Sequence, residues 1–89
     1  MRAVLTVIGK DAVGILAKVS AKCAECNVNV VEVTQSVLQD IFCMIMICDI
    51  DKISTSFDDF SDKLNLLGET ENLSVRVMHE EIFNSMHRI

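Results

Sequence analysis

The sequence predicts an α+β protein with the ferredoxin-like βαββαβ sandwich fold, in which two helices cover one face of a four-stranded antiparallel sheet, plus a short C-terminal helix. Three observations support this. The length of 89 residues fits one domain. Strand-like apolar runs and helix-like apolar stripes follow one another in the order that this fold requires. Two runs, Arg2 to Ile8 and Ile41 to Cys48, are apolar on both faces, as expected for its two central strands.

The first half of the chain predicts a strand, a helix and a second strand. Arg2 to Ile8 is rich in β-branched residues and stops at Gly9. Val13 to Cys26 is predicted to be an amphipathic helix, because apolar residues recur there at steps of three and four. The residues expected on its buried side are Leu16, Val19, Cys23 and Cys26. Val28 to Leu38 mixes valines with polar residues, which favours a strand at the edge of the sheet.

The second half repeats this order. Gln39 and Asp40 are predicted to form a short turn into the strand Ile41 to Cys48. Ser56 and Asp59 have the spacing of a helix cap, and an apolar stripe follows them, consisting of Phe57, Phe60, Leu64 and Leu67. We expect Gly68 to end this helix. The alternation from Leu73 to His79 predicts the fourth strand, and Glu80 to His87 the short closing helix.

The third strand is apolar on both faces, whereas the two long helices cover only one face of the sheet. Alternation divides it into two sets, Phe42, Met44, Met46 and Cys48 on one face and Ile41, Cys43, Ile45 and Ile47 on the other. The second set needs a cover. We expect oligomerisation to supply most of it, assisted by the closing helix through Ile82, Phe83 and Met86.

Charge and hydropathy narrow the classes of partner. Eight Lys and Arg against 13 Asp and Glu give a net charge of −5, the wrong sign for binding nucleic acid directly. The longest charge-free apolar run, Ile41 to Cys48, is far shorter than the roughly 20 residues that span a bilayer. The N-terminal segment has neither the apolar length nor the cleavage site of a signal peptide. We therefore expect a cytoplasmic protein that binds no membrane.

The four cysteines suggest a metal or redox site, but their predicted placement opposes it. Cys23 and Cys26 form a C-x-x-C motif at the end of a helix, whereas redox motifs use the start, where the helix dipole lowers the thiol pKa. Cys43 and Cys48 lie five residues apart on a strand and so face opposite sides. We expect core thiols, no metal and no cofactor. No nucleophile and base are recognisable either, so we predict no catalytic residue and no enzyme.

The turn between the first strand and first helix is the strongest candidate for a ligand site. The N–H groups of Gly14 and Ile15 are expected to point outward at the helix start, where an anion such as a carboxylate binds favourably. Asp11 has two possible roles beside them: capping the helix or accepting a hydrogen bond from an ammonium group.

Two short motifs resemble those of the ACT domain, a regulatory module that binds an amino acid in several enzymes of amino-acid metabolism. They are Gly9-x-Asp11-x-x-Gly14-Ile15-Leu16 and Asn27-Val28-Asn29-Val30. The chain resembles the small stand-alone ACT proteins, which are similar to the regulatory domains of the glycine-cleavage transcriptional repressor. The resemblance implies an ACT-like domain over residues 1–79, with 80–89 as a helical extension of the same domain.

The resemblance also implies a ligand site at the interface of a homodimer whose sheets join edge to edge. The amino acid would lie between the first turn of one subunit and the second strand of the other. Asp11 and Asn29 would contact its polar groups, and Gly14 would let the backbone approach. Asn29 has an alternative role as a turn residue at the start of a strand. The chain would act through a regulated enzyme or a transcription-linked protein; the alternative is an interaction module without a small ligand.

Overall fold

A computed structural model describes residues 1–10 and 13–86 and confirms the predicted fold. Its elements are β1 (Arg2–Gly9), α1 (Ile15–Glu25), β2 (Asn29–Leu38), β3 (Ile41–Asp49), α2 (Phe57–Glu71), β4 (Ser74–His79) and α3 (Glu80–Met86). The strand order is β2-β3-β1-β4, and all neighbouring strands are antiparallel. The two strands that are apolar on both faces, β1 and β3, are therefore the central pair, as predicted.

The core lies between the sheet and the two long helices. Alternate residues of the central strands enter it, so β3 buries one of its two predicted sets and leaves the other on the opposite face. The strands contribute Ala3, Leu5, Val7, Phe42, Met44, Met46, Cys48 and Val75, and the helices Ile15, Val19, Cys23, Phe60 and Leu64. No membrane-spanning helix is found within the described ranges, since none there is both long enough and apolar enough.

The buried side of α1 differs from the prediction at its first turn. Leu16 was expected in the core but is 37% exposed, and Ile15 is buried instead. The residues that meet the sheet, Ile15, Val19 and Cys23, recur at steps of four. Residues at this spacing lie on one side of a helix, whereas Leu16 lies about 100° around the axis from Ile15. The prediction was therefore wrong about the rotation of α1 about its axis, which is set by its packing against the sheet.

The end of α2 also differs from the prediction. The helix continues past Gly68 to Glu71, and Asn72 caps it in the left-handed conformation at φ 59°. Gly68 instead faces β4, where a Cβ atom would lie 2.9 Å from the backbone oxygen of Leu73 and 2.9 Å from Cγ2 of Val75. The glycine therefore allows close packing of helix against strand.

The predicted cap at the start of α2 is confirmed. The Oγ atom of Ser56 accepts a hydrogen bond from the backbone N–H of Asp59 at 3.0 Å. The carboxylate of Asp59 accepts one from the hydroxyl of Thr55 at 2.7 Å, which lowers the pKa of Asp59. The cap thus fixes the first turn of α2 to the loop before it.

The sheet face opposite α1 and α2, called the second face below, is only half covered. In the described part of the chain α3 contacts β1 and β4 but neither of the other helices, which places it against this face. Beneath this half Val4 is only 1% exposed. On β3, however, Ile41 and Ile45 are exposed, and Cys43 and Ile47 are half-buried. The predicted closing helix therefore covers part of the second face and leaves part of it bare.

Candidate ligand site

Backbone N–H groups point out of the start of α1. Gly14 is the residue before the helix, and the first N–H to bond back to it is that of Lys18, which donates to the Gly14 carbonyl at 3.0 Å. The N–H groups of the first turn therefore have no intrahelical acceptor. Within the described residues no side chain caps this end. Asp11, predicted to be a cap or an ammonium acceptor, lies outside the described residues.

The backbone conformation at position 14 explains why a glycine is found there. Gly14 has φ 72° and ψ 4°, the left-handed region that only glycine adopts at little cost. Space is not the constraint, because a Cβ atom there would meet nothing nearer than Cε of Lys18 at 3.8 Å. Lys18 itself forms an ion pair with Glu71, which ties the first turn of α1 to the last turn of α2.

Asn27 and Asn29 differ in their surroundings, because, of these two, only Asn27 makes a side-chain hydrogen bond to another described residue. Asn27 adopts the left-handed conformation at φ 57°, and its Nδ2 donates to the backbone oxygen of Lys52 at 2.7 Å. Asn29 is the exposed first residue of β2, and its side chain makes no hydrogen bond to any other described residue. The left-handed turn conformation is thus found at Asn27, and Asn29 is the first residue of the strand.

A cavity of about 520 Å³ opens beside Asn29. Its lining residues are Ala24, Asn27, Val28, Asn29, Asp49, Asp51 and Lys52. Oδ1 of Asp49 accepts a hydrogen bond from the N–H of Asp51 at 2.9 Å. The carboxylate of Asp51 binds the N-terminal ammonium of Met1, which lowers the pKa of Asp51 and raises that of the amine. Both aspartates thus already have partners.

Sequence reasoning did not predict this cavity. Its walls come from the α1–β2 connection and from the chain that follows β3, which are about 20 residues apart in sequence. They meet because Asn29 pairs with Asp49 in the β2–β3 register. The only local signal was the pair of aspartates in Asp49-Ile50-Asp51, and such a pair is also typical of an ordinary surface loop.

The two halves of the predicted site do not meet within one protomer. Asn29 pairs with Asp49, which pairs with Arg2, so Asn29 lies level with the start of β1. The turn to Gly14 follows Gly9, at the other end of that strand. Eight residues of extended chain separate these levels by about 24 Å, which is longer than an amino acid.

Three of the four cysteines lie in the core, as expected, whereas Cys43 does not. Cys23, Cys26 and Cys48 are buried, Cys43 lies half-buried on the second face, and all four are free. A hydrogen bond with Cys48, together with burial, raises the pKa of Cys23, so this thiol stays protonated. Between residues 1–10 and 13–86 there is no group of three or more His, Cys, Asp or Glu side chains that could hold a metal ion.

Several known proteins are similar to this chain. The family model of the ACT domain matches residues 2–78. A UPF0237 protein of Listeria innocua is 49% identical over 89 residues, 100% of both chains. The solved ACT domain protein from Streptococcus pneumoniae has 34% identity and a TM-score of 0.82, covering 93% of each chain. A putative glycine cleavage system transcriptional repressor shares the fold, with a TM-score of 0.70 and 20% identity over 86% of this chain and 44% of that one.

Proposed function

Because the chain belongs to the ACT domain family of regulatory modules, we propose that it binds an amino acid where two copies meet and regulates a partner protein in the cytoplasm. It would catalyse no reaction itself. The observation that carries the proposal is the separation of Gly14 from Asn29: each lies at an opposite end of the sheet, with ligand-binding groups available.

A two-fold axis at the β2 edge would bring these ends together. β2 is an edge strand of ten residues, so its outer backbone groups are open to pairing with another strand. If two copies of β2 paired in antiparallel fashion, Asn29 of each copy would lie beside the Leu38 end of the other. That end is level with Gly9 and the turn to Gly14, and α1 itself packs against β2.

The groups assembled there fit a free amino acid. The unpaired N–H groups and the positive dipole end of α1 favour the carboxylate. Asp11 would accept hydrogen bonds from the ammonium group, and the amide of Asn29 from the second copy offers both a donor and an acceptor. Gly14 has no side chain and that of Ile15 is buried in the core, so neither side chain would keep the ligand from the backbone N–H groups.

Binding across an interface gives the module its regulatory output. A ligand that contacts both copies stabilises the pair, and it shifts a partner protein only by its difference in affinity for the partner's two states. The partner would be an enzyme or a transcription-linked protein. No cofactor takes part in this mechanism.

A thermal-shift screen of the common amino acids at millimolar concentration tests the proposal. One or a few amino acids should raise the melting temperature, because a ligand at 100 times its Kd stabilises the folded state by about 2.7 kcal/mol. Asp11→Ala and Asn29→Ala should abolish the shift. The matched control is Asn65→Ala, an exposed asparagine on α2 away from the site. If no amino acid shifts the wild-type protein, the sensing function is wrong.

The half-bare second face favours a second candidate, an interaction module with no small ligand. In that case Asp11 only caps α1. Asp11→Ala would then lower the free energy of unfolding by about 0.5–2 kcal/mol and leave capture of the partner unchanged. Light scattering that shows a stable assembly, combined with no response to any amino acid, would favour this candidate over the sensor.

A further inference from the structure

The uncovered part of the second face has the composition of an interface core. Its central residues, called the bare stripe below, are Ile8, Ile41, Cys43, Ile45 and Ile47, and none carries a charge. Among the described residues, the charged side chains of this face lie at the rim of the stripe, with Arg2 and Asp49 at one end of the central strands, Glu32 on β2 and Arg76 on β4. Glu32 and Arg76 are exposed and have no ion-pair partner among the described residues. An apolar centre with a charged rim is typical of protein interfaces.

The helix on the covered half has an apolar side of its own that faces solvent. Ile82 is 52% exposed and Met86 is 67% exposed. They lie four residues apart and therefore on the same side of α3. The protomer thus has two uncovered apolar surfaces next to each other: the bare stripe and this side of α3.

We propose that a second copy of this chain covers the bare stripe, with α3 of each copy packed against the stripe of the other. The two-fold axis runs along the strands between the two sheets. Rotation about it exchanges the β2–β3 half of one sheet with the β1–β4 half of the other. This sets each α3 over the partner's β3, where the stripe lies. An axis across the strands would leave the stripe on β3 bare.

Charge supports this axis. It sets the β4 edge of each copy over the β2 edge of the other, so Arg76 and Glu32 lie on facing rims with opposite charges. Like charges at facing rims would oppose association. The arrangement leaves the outer backbone groups of β2 free. It is therefore independent of the edge-to-edge pairing in the proposed function, and both contacts can form in one assembly.

The size of the face is of the order that a stable contact needs. Four strands spaced about 4.8 Å apart and a nine-residue β3 give a footprint of about 19 by 30 Å, or about 570 Å². Side-chain relief adds to this flat area, and the exposed side of α3 adds more. An ordinary stable interface buries about 800 Å² per partner, so this face is of the required order.

The test compares three variants by sedimentation velocity across micromolar concentrations. Ile45→Asp places a charge in the bare stripe, and Ile82→Asp places one on the exposed side of α3. Each should halve the mass of the wild-type assembly. Leu66→Asp is the control, because Leu66 is an equally apolar residue on α2 and is 62% exposed. It should leave the mass unchanged. Circular dichroism checks that each variant is folded.

Three results would overturn the proposal. The first is that the wild-type protein stays monomeric. The second is that Ile45→Asp or Ile82→Asp keeps the wild-type mass. The third is that the control, Leu66→Asp, dissociates as well. The thermal shift caused by an amino acid shows whether a variant affects this interface or the proposed ligand site. Ile45→Asp should keep any ligand-induced thermal shift, since the stripe contributes nothing to the edge site, and Asn29→Ala should keep the face contact.

Cys43 provides a second measurement that needs no variant. It is the half-buried thiol of the stripe, whereas the other three are buried. A maleimide should therefore modify one thiol fastest in dilute protein, and more slowly as the concentration rises and the copies associate. A rate of modification independent of concentration across the range where the mass changes would contradict this interface.

Discussion

Gly14 and Asn29 lie at opposite ends of the sheet, separated by about 24 Å along the strands of one protomer. Each provides hydrogen-bonding groups that the other lacks. The Gly14 turn offers backbone donors at a helix start, and Asn29 offers an amide without a hydrogen-bond partner among the described residues. A site that uses both must therefore include two copies of the chain.

Mixing two defective proteins tests whether the site is shared. Asp11→Ala removes the turn's carboxylate and Asn29→Ala removes the amide, so neither variant alone should bind the amino acid. A mixed dimer has one site with both defects and one with none. Random exchange should therefore restore about a quarter of the wild-type binding capacity, measured by calorimetry. A site within one protomer would give no recovery on mixing.

Gly68→Ala should destabilise the protein even though alanine favours helices by about 1 kcal/mol. The added Cβ would lie 2.9 Å from the backbone oxygen of Leu73, which cannot move without displacing β4. Urea unfolding should show a lower midpoint than wild type. Glu69→Ala, at an exposed position one residue later, is the control and should have little effect. A stabilised Gly68→Ala protein would contradict the close packing of α2 against β4.

Ser56→Ala should lower the free energy of unfolding by about 1 kcal/mol. The change removes the acceptor of the Asp59 N–H and leaves that donor without its capping partner. Ser56→Asp should keep most of the stability, since aspartate is also a good cap. Chemical unfolding of the three proteins measures the difference. Equal losses in both variants would show that the cap contributes little.

Stability should fall as the pH rises above about 9. In the folded protein, hydrogen bonding to Cys48 and burial raise the pKa of Cys23 above its ordinary value of 9.0. The unfolded chain then loses this proton at a lower pH than the folded chain. The stabilisation is complete below pH 9 and is lost above it. Urea unfolding at about pH 8 and pH 10 should show a smaller loss for Cys23→Ala than for wild type. Cys43→Ala, which leaves Cys23 and Cys48 in place, is the control.

Local patterns predicted most of the fold because they report which residues must leave water. The two runs that are apolar on both faces identified β1 and β3 as central, and the Ser56 cap marked the start of α2. The errors at Leu16 and Gly68 concern contacts between elements. An apolar stripe in the sequence does not fix the rotation of a helix about its axis, so it does not show which of two adjacent residues faces the core. A glycine that ends a helix also has the same sequence signal as one that allows close packing.

The sequence alone determined the order of elements and the family, and it supplied the two segments that we propose bind a ligand. These follow from hydrophobic periodicity and from short motifs, which act over a few residues. Only the tertiary structure decided that Gly14 and Asn29 are too far apart to act in one protomer, and that α3 covers half of the second face. Both depend on strand register and helix placement, which are set by contacts between residues far apart in the chain.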